Sequence, residues 1–392
     1  MQPYQFINHI INDEISSVRS DFVHFRFEDN VRFNHDPYKD LVKRYSKIPK
    51  FLCHTDATED NWQEHIAYTM IDHNTISNNW GGVGQRNYGY IGNRWQDLRP
   101  YFGPHTIPRE IGTPVFIEHQ WEPVLYNLDK PFWQSVINWQ RNLKNSHYVL
   151  HSEHNSTDIN QLRESGIKDI HWFSHAYLCS EFYFKHYNKI KTVYDYKSRP
   201  INYPWICANR LLRDYRIKFM NKIDWRKGAY SLLETDPNGV KLWGDVPPNS
   251  FDNHTNSSSE IKVDDLTPWN TSFLHIVNET VWQDKIHFTE KVFKPIVLHQ
   301  PFVVLQAPGS LEYLRSYGFK TFGDFWDESY DSIQDPDERM DAIASIVDWI
   351  TTQNLYDLRE VMEDVLEHNF RHFYENIPSI CLDELRKGLV NL

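Results

Sequence analysis

Five residues between positions 272 and 332 have the types and spacing to hold a charged, hydroxyl-bearing ligand. Glu279 sits in the polar triplet Asn278-Glu279-Thr280, which closes the apolar run Phe273-Leu274-His275-Ile276-Val277. Thr289 is a helix N-cap by type, and Lys291, two residues on, would add a cation to the free N–H groups of that helix start. Glu290 between them is a carboxylate able to accept hydrogen bonds from ribose hydroxyls. Ser310, after Ala307-Pro308-Gly309, opens a second helix that closes near Gly318. Together these residues form an address for an anionic ligand. A basic group precedes them: Arg210, Arg213 and Arg216 are spaced by three on an expected helix of residues 209–222 and would share one face. That stripe reads equally as a solvated face or as a guanidinium clamp for phosphate.

The elements that must position these residues follow from hydrophobic pattern. The run 273–277, a helix from Thr289 and the run 301–305 make a βαβ unit, and ligands of open α/β sheets bind at the carboxyl ends of such strands. Pro295 conflicts with this helix, because proline lacks the N–H and disfavours α conformation at Lys294. The helix must therefore kink there or begin later than Thr289. Further strands are expected at 51–54, 113–118, 147–150, 169–175 and 205–208, with strand-like alternation over 22–27 and through the residues up to about 40. Helices are expected near 132–143, from 157 to Gly166, over 176–187, and at 335–350, 355–374 and 380–390. The glycine-rich piece 77–92 lacks the spacing of a dinucleotide fingerprint and reads as a loop, as does 246–259. The proline-bearing stretch 197–204 reads as a linker. The expected division is an N-terminal Rossmann-like domain over 1–198, a C-terminal Rossmann-like domain over 199–375, and a last helix within 376–392.

Composition narrows the function classes. A chain of 392 residues exceeds the usual size of one core. Its net charge of −12 argues against a surface built for duplex nucleic acid. Four scattered cysteines without a CxxC pair fit buried thiols in a reducing, cytoplasmic setting, and no apolar run reaches membrane-spanning length. No GxSxG elbow or P-loop occurs. The one DxD, Asp335-Pro336-Asp337, reads as a helix start, so no essential metal is expected. What is left is the binding of a charged ligand between two Rossmann-like halves.

The run HFTEKVFKPIVLHQPFVVL at 287–305 resembles the donor-site motif of the α1,3-fucosyltransferase-type enzymes. The stretches PGSLEYLRSYGFKTF and DESYD resemble glycosyltransferase-like proteins of bacteriophages. The resemblance implies an α/β chain of GT-B type, with two Rossmann-like domains facing a central cleft and helices at the C-terminus. It implies a UDP- or GDP-sugar as donor substrate, no required cofactor, and an inverting transfer to a glycan, a protein or a modified DNA base, in the host cytoplasm if the chain is viral. Glu290 would hold the donor ribose, Lys291 its diphosphate, and Arg210 or Arg216 a further phosphate, beside Asn278, Glu279, Thr289 and Ser310. The triplet 278–280 departs from the family's order, and the segment before Thr289 is longer than the family's. The family also implies a carboxylate base from the N-terminal domain. Glu153, in His151-Ser152-Glu153-His154, fits by position, as a base or simply as a cap for the following helix; Asp56, His154 and His175 are alternatives. A non-catalytic phage structural or scaffold protein with a transferase-like fold is the other class.

Overall fold

Parallel pairing dominates both sheets of the computed structural model, which describes residues 3–18, 22–27, 50–55, 66–70, 115–119, 137, 146–209, 213–232, 246–247 and 267–392. The chain is α/β. It divides into two compact units, Met1–Ser174 with Leu382–Leu392, and His175–Cys381.

In the first unit six strands pair in the order β3-β2-β1-β4-β5-β6: Phe22–Phe27 (β1), Lys50–Thr55 (β2), Ile66–Met70 (β3), Val115–His119 (β4), His147–His151 (β5) and Lys168–His171 (β6). All pairs are parallel except β2 with β3. This order is compatible with a Rossmann-like sheet carrying one reversed edge strand. Pro3–Val18 forms helix α1. Its buried Ile7, Ile11 and Ile15 recur at helical spacing, which overrides the strand-like alternation expected of this region. Thr157–Glu164 (α2) is capped by Ser156, whose Oγ accepts from Ile159 N–H, and closes before Gly166 in the left-handed region.

The second unit opens with Ser174–Leu178 (α3), whose first residue lies beyond the boundary; the strand expected over 169–175 stops at His171. Lys191–Tyr194 (α4) follows. Residues 197–204 do not behave as a free linker. Arg199 is buried and donates to Asn270 Oδ1 (2.7 Å) and to the Leu298 carbonyl, while Tyr203 and Pro204 begin a strand. The units therefore part upstream of the expected 198/199 boundary.

Four parallel strands follow, Tyr203–Asn209 (β7), Ala229–Leu232 (β8), Ser272–Asn278 (β9) and Phe302–Leu305 (β10), in the order β10-β9-β7-β8. Every residue of β9 and β10 is buried, the pattern of strands covered on both faces. Asp214–Met220 (α5) links β7 to β8, and Pro268–Thr271 (α6) leads into β9. Glu290–Val297 (α7) links β9 to β10. The βαβ unit expected over 273–305 is present.

Helix α7 resolves the proline conflict: it starts at its Thr289 cap and carries Pro295 inside. The helix ends within one turn of it, where Leu298 N–H bonds Lys294 O (3.0 Å) and His299 turns left-handed at φ 50°. Ser310–Ser316 (α8) and Pro336–Ile350 (α9) follow, the latter capped by Asp335 with proline in its first turn. The expected helix 355–374 is two, Leu355–Val361 (α10) and Glu363–Glu375 (α11), broken at Met362. Ile377–Val390 (α12) begins in the second unit and finishes in the first. There Glu384 accepts from Phe173 N–H (2.8 Å) and bonds His171 Nδ1 (3.0 Å), and Arg386 forms a two-point pair with Glu14 (2.9 Å each).

Candidate functional site at the carboxyl edge of the second sheet

Strand order locates the site. β7 pairs with β8 on one side and β9 on the other, so the chain winds away in both directions from the β7/β9 pair. Ligands of open α/β sheets bind beyond the carboxyl ends of strands at such a reversal. Those ends are Asn209 and Asn278, brought side by side by the register that sets Cys207 opposite Ile276. Asn278 Nδ2 donates to Asn209 Oδ1 (2.7 Å) and contacts Cys207 Sγ (3.1 Å). Both asparagines are buried, so Asn278 serves to lock the two strand ends together.

Glu279, the next residue, is fully buried. Its Oε1 accepts from Thr289 N–H (3.2 Å) and its Oε2 from Thr289 Oγ1 (2.6 Å). The same hydroxyl accepts from Lys291 Nζ (2.8 Å) and caps α7 through Lys291 N–H (3.5 Å). Lys291 Nζ lies 3.9 Å from Glu279, 3.5 Å from Glu290 and 3.5 Å from Thr280 Oγ1. Thr289 therefore joins a strand-end carboxylate, a helix start and an ammonium.

The two carboxylates are pushed apart. Burial is the largest influence on each. It holds Glu279 above the usual carboxylate range, with Lys291 and the Thr289 bonds offsetting only part. For Glu290 burial is outweighed by Lys291, Lys294 and His175, which together drive it well below that range. Glu290 is thus the more readily ionised of the two. Lys294 is buried with its ammonium 4.7 Å over the Trp269 ring. Cys179, also buried, has its thiol pushed well up by burial and by Glu290 and Glu279, which suits a packing role and not a nucleophile.

The long segment between Glu279 and Thr289 is folded in. Trp282 stacks on Tyr215 (5.8 Å, 7°) and lies under Arg339 (4.3 Å), and Ile286 and Phe288 are buried. The His287 ring meets His175 edge to face at 5.2 Å, and the His287 carbonyl accepts from Gln306 Nε2 (2.8 Å).

Two residues expected as anion contacts, Arg216 and Ser310, have partners within the chain. The helix expected from Asn209 begins at Asp214: Asn209 is the last residue of β7 and Arg213 is an extended N-cap. Arg213 therefore does not share a helix face with Arg216. Arg210 lies outside the described residues. Arg216 is buried and donates to the carbonyls of Asn278 (3.2 Å) and Glu279 (3.0 Å), while Arg213 donates to the Thr280 carbonyl. These guanidiniums satisfy carbonyls at and just beyond the strand end. Ser310 is the first residue of α8 and not its cap; Gly309, at φ 83°, is the cap. The Asp331 carboxylate occupies that helix start, accepting from Ser310 Oγ (3.1 Å), Leu311 N–H (2.9 Å) and Glu312 N–H (3.0 Å). An internal anion sits where a ligand's was expected.

In the first unit Glu153 is buried and accepts from Ser156 Oγ (2.5 Å); Ser156, and not Glu153, is the cap of α2. His151 Nδ1 accepts from Glu153 N–H (3.1 Å), so its Nε2 carries the proton shared with Asp169 (3.0 Å). Asp56 lies outside the described residues. Among the described residues no three His, Cys, Asp or Glu side chains gather as a metal site would need, and no helix is long and apolar enough to cross a membrane.

Sequence reasoning passed over Gln306, Asp331, Lys294 and Trp282. A polar residue directly after an apolar strand was signal enough for Gln306; Asp331 lies 21 residues from its partner Ser310 with no local mark. No protein-family model matches the chain, and no curated protein matches its sequence.

Proposed function

We propose that the chain is a nucleotide-sugar-dependent glycosyltransferase whose donor meets the Glu279–Thr289–Glu290–Lys291 cluster. The observation that carries this is the state of Glu290. It is 8 % exposed, held ionised, and its Oε1 has no hydrogen-bond donor. A buried carboxylate oxygen in that state, beside a lysine that keeps part of its surface, suits a ligand presenting hydroxyls next to phosphate. The location at the reversal of a parallel sheet supports the same reading. So does the resemblance of the stretch 287–305 to donor-site motifs, with the GT-B arrangement and the inverting, metal-independent transfer as its finer terms. The acceptor is a hydroxyl of a glycan, a protein or a modified DNA base, and Glu153 serves as base; Glu153→Gln should lower kcat with little change in KM.

Thermal shift against UDP-, GDP- and CDP-sugars tests the reading. A ligand at about 100 times its dissociation constant adds roughly 2.7 kcal/mol. If none stabilises the chain, the proposal fails. The second reading, a non-catalytic protein of the same fold, is favoured by Lys291 being balanced already by two buried carboxylates. It predicts that silent panel.

A further inference from the structure

Gln306 follows β10 directly and is 1 % exposed. Its Nε2 donates to the His287 carbonyl at 2.8 Å, which settles the orientation of the amide: reversed, two oxygens would face each other at that distance. Oε1 is thereby left buried with no hydrogen-bond partner. Glu290 Oε1, three residues along from His287, is in the same position, 3.5 Å from Lys291 Nζ but not hydrogen-bonded. Leaving such an acceptor unmatched is unfavourable, and native structures resolve it with a water or a ligand.

The chemistry of what completes these two atoms is restricted. Both oxygens accept only, so the occupant must donate. Phosphate oxygens are excluded at these two atoms. A cation would overfill a cluster in which Lys291 and Lys294 already act on Glu290. A neutral hydroxyl-bearing group satisfies both conditions. We infer that Gln306 is a specificity-determining residue that, together with Glu290, receives hydroxyls of a sugar ring, either the ribose of the nucleotide or the sugar to be transferred. The inference rests on the nucleotide-sugar reading and goes further by adding Gln306 and excluding phosphate from this edge.

The test is calorimetric titration of the full chain with UDP-glucose and GDP-fucose. Each is compared with its free nucleoside diphosphate and its 2′-deoxyribose form, for the wild type and Gln306→Leu, with Gln306→Met and Gln306→Glu as alternates if the leucine variant fails to fold. The wild type should bind the fully hydroxylated ligand about ten-fold more tightly than the form lacking the matched hydroxyl. Gln306→Leu should lose that discrimination while still binding. Discrimination lost against the 2′-deoxy form identifies the ribose; discrimination lost against the free diphosphate identifies the transferred sugar. If a folded variant keeps both affinity and discrimination, Oε1 holds only a buried water and the inference is overturned, with the nucleotide-sugar reading intact. If the wild type takes up neither nucleotide-sugar, both are overturned.

Discussion

Lys291 is poised between two functions, and its substitution separates them. Its ammonium satisfies Thr289 Oγ1 and lies within 4 Å of two buried carboxylates, yet it keeps about a quarter of its side-chain surface. Lys291→Ala should therefore weaken nucleotide-sugar binding by roughly ten-fold or more, the scale of a lost charge-assisted hydrogen bond. It should also lower stability, because Glu279 and Glu290 lose a cation that lies within 4 Å of both. Titration calorimetry and melting curves on one preparation give both numbers. Unchanged binding with lowered stability would make Lys291 purely structural. The sequence marked Glu279, Thr289, Glu290 and Lys291 correctly as neighbours, because a strand end and a helix start fix them locally. It could not show that the α8 start and the arginines are spent on internal partners, since Asp331 and the 278–280 carbonyls reach them across the fold.

At the scale of the element, α7 depends on its cap. Thr289→Ala removes the cap and the hydroxyl that Glu279 and Lys291 share, and should cost about 2 kcal/mol; Thr289→Ser should recover most of it. Denaturant melts of the two variants check this, and equal stabilities would show that the hydroxyl is idle. Strand β7 gives a packing counterpart. A Cβ at Gly228 would lie 2.2 Å from the fully buried Trp205 indole, so Gly228→Ala should destabilise by about 2 kcal/mol or more. A melting temperature equal to the wild type's would refute that packing. The parallel strands were legible because fully buried strands are unbroken apolar runs, as in β9 and β10. Helix α1 was missed because its isoleucine stripe is diluted by polar neighbours, and the start of α5 because arginines were weighed before the apolar run of β7 was followed to its end.

At the scale of the molecule, two buried histidines contribute to the response to acid. Burial, with Lys294, holds His275 down at about 3, and burial, with Arg199 and Lys197, holds His299 at about 3, against an ordinary 6.5. Glu367, 3.8 Å from His299, is too distant to hydrogen-bond it. Between pH 6.5 and 3 the unfolded chain binds these two protons and the folded chain does not. Their contribution is whole above pH 6.5 and is lost as pH falls toward 3, at about 1.4 kcal/mol per pH unit for each. His275→Leu should reduce the slope by about 1.4 kcal/mol per pH unit in melts taken between pH 6 and 4. A slope equal to the wild type's would mean that His275 protonates freely in the folded state.

Helix α12 also has a consequence in time. A ribosome delivers Leu382–Leu392 only after all of His175–Cys381, yet those last residues belong with strands made long before. Glu384 and Arg386, which fasten His171, Phe173 and Glu14, arrive when the intervening unit is already free to fold. The second unit can mature in sequence order, whereas the first must wait, incomplete, for its closing segment. Premature stops between the 279–306 cluster and Leu382 would therefore leave His171, Phe173 and Glu14 without these partners.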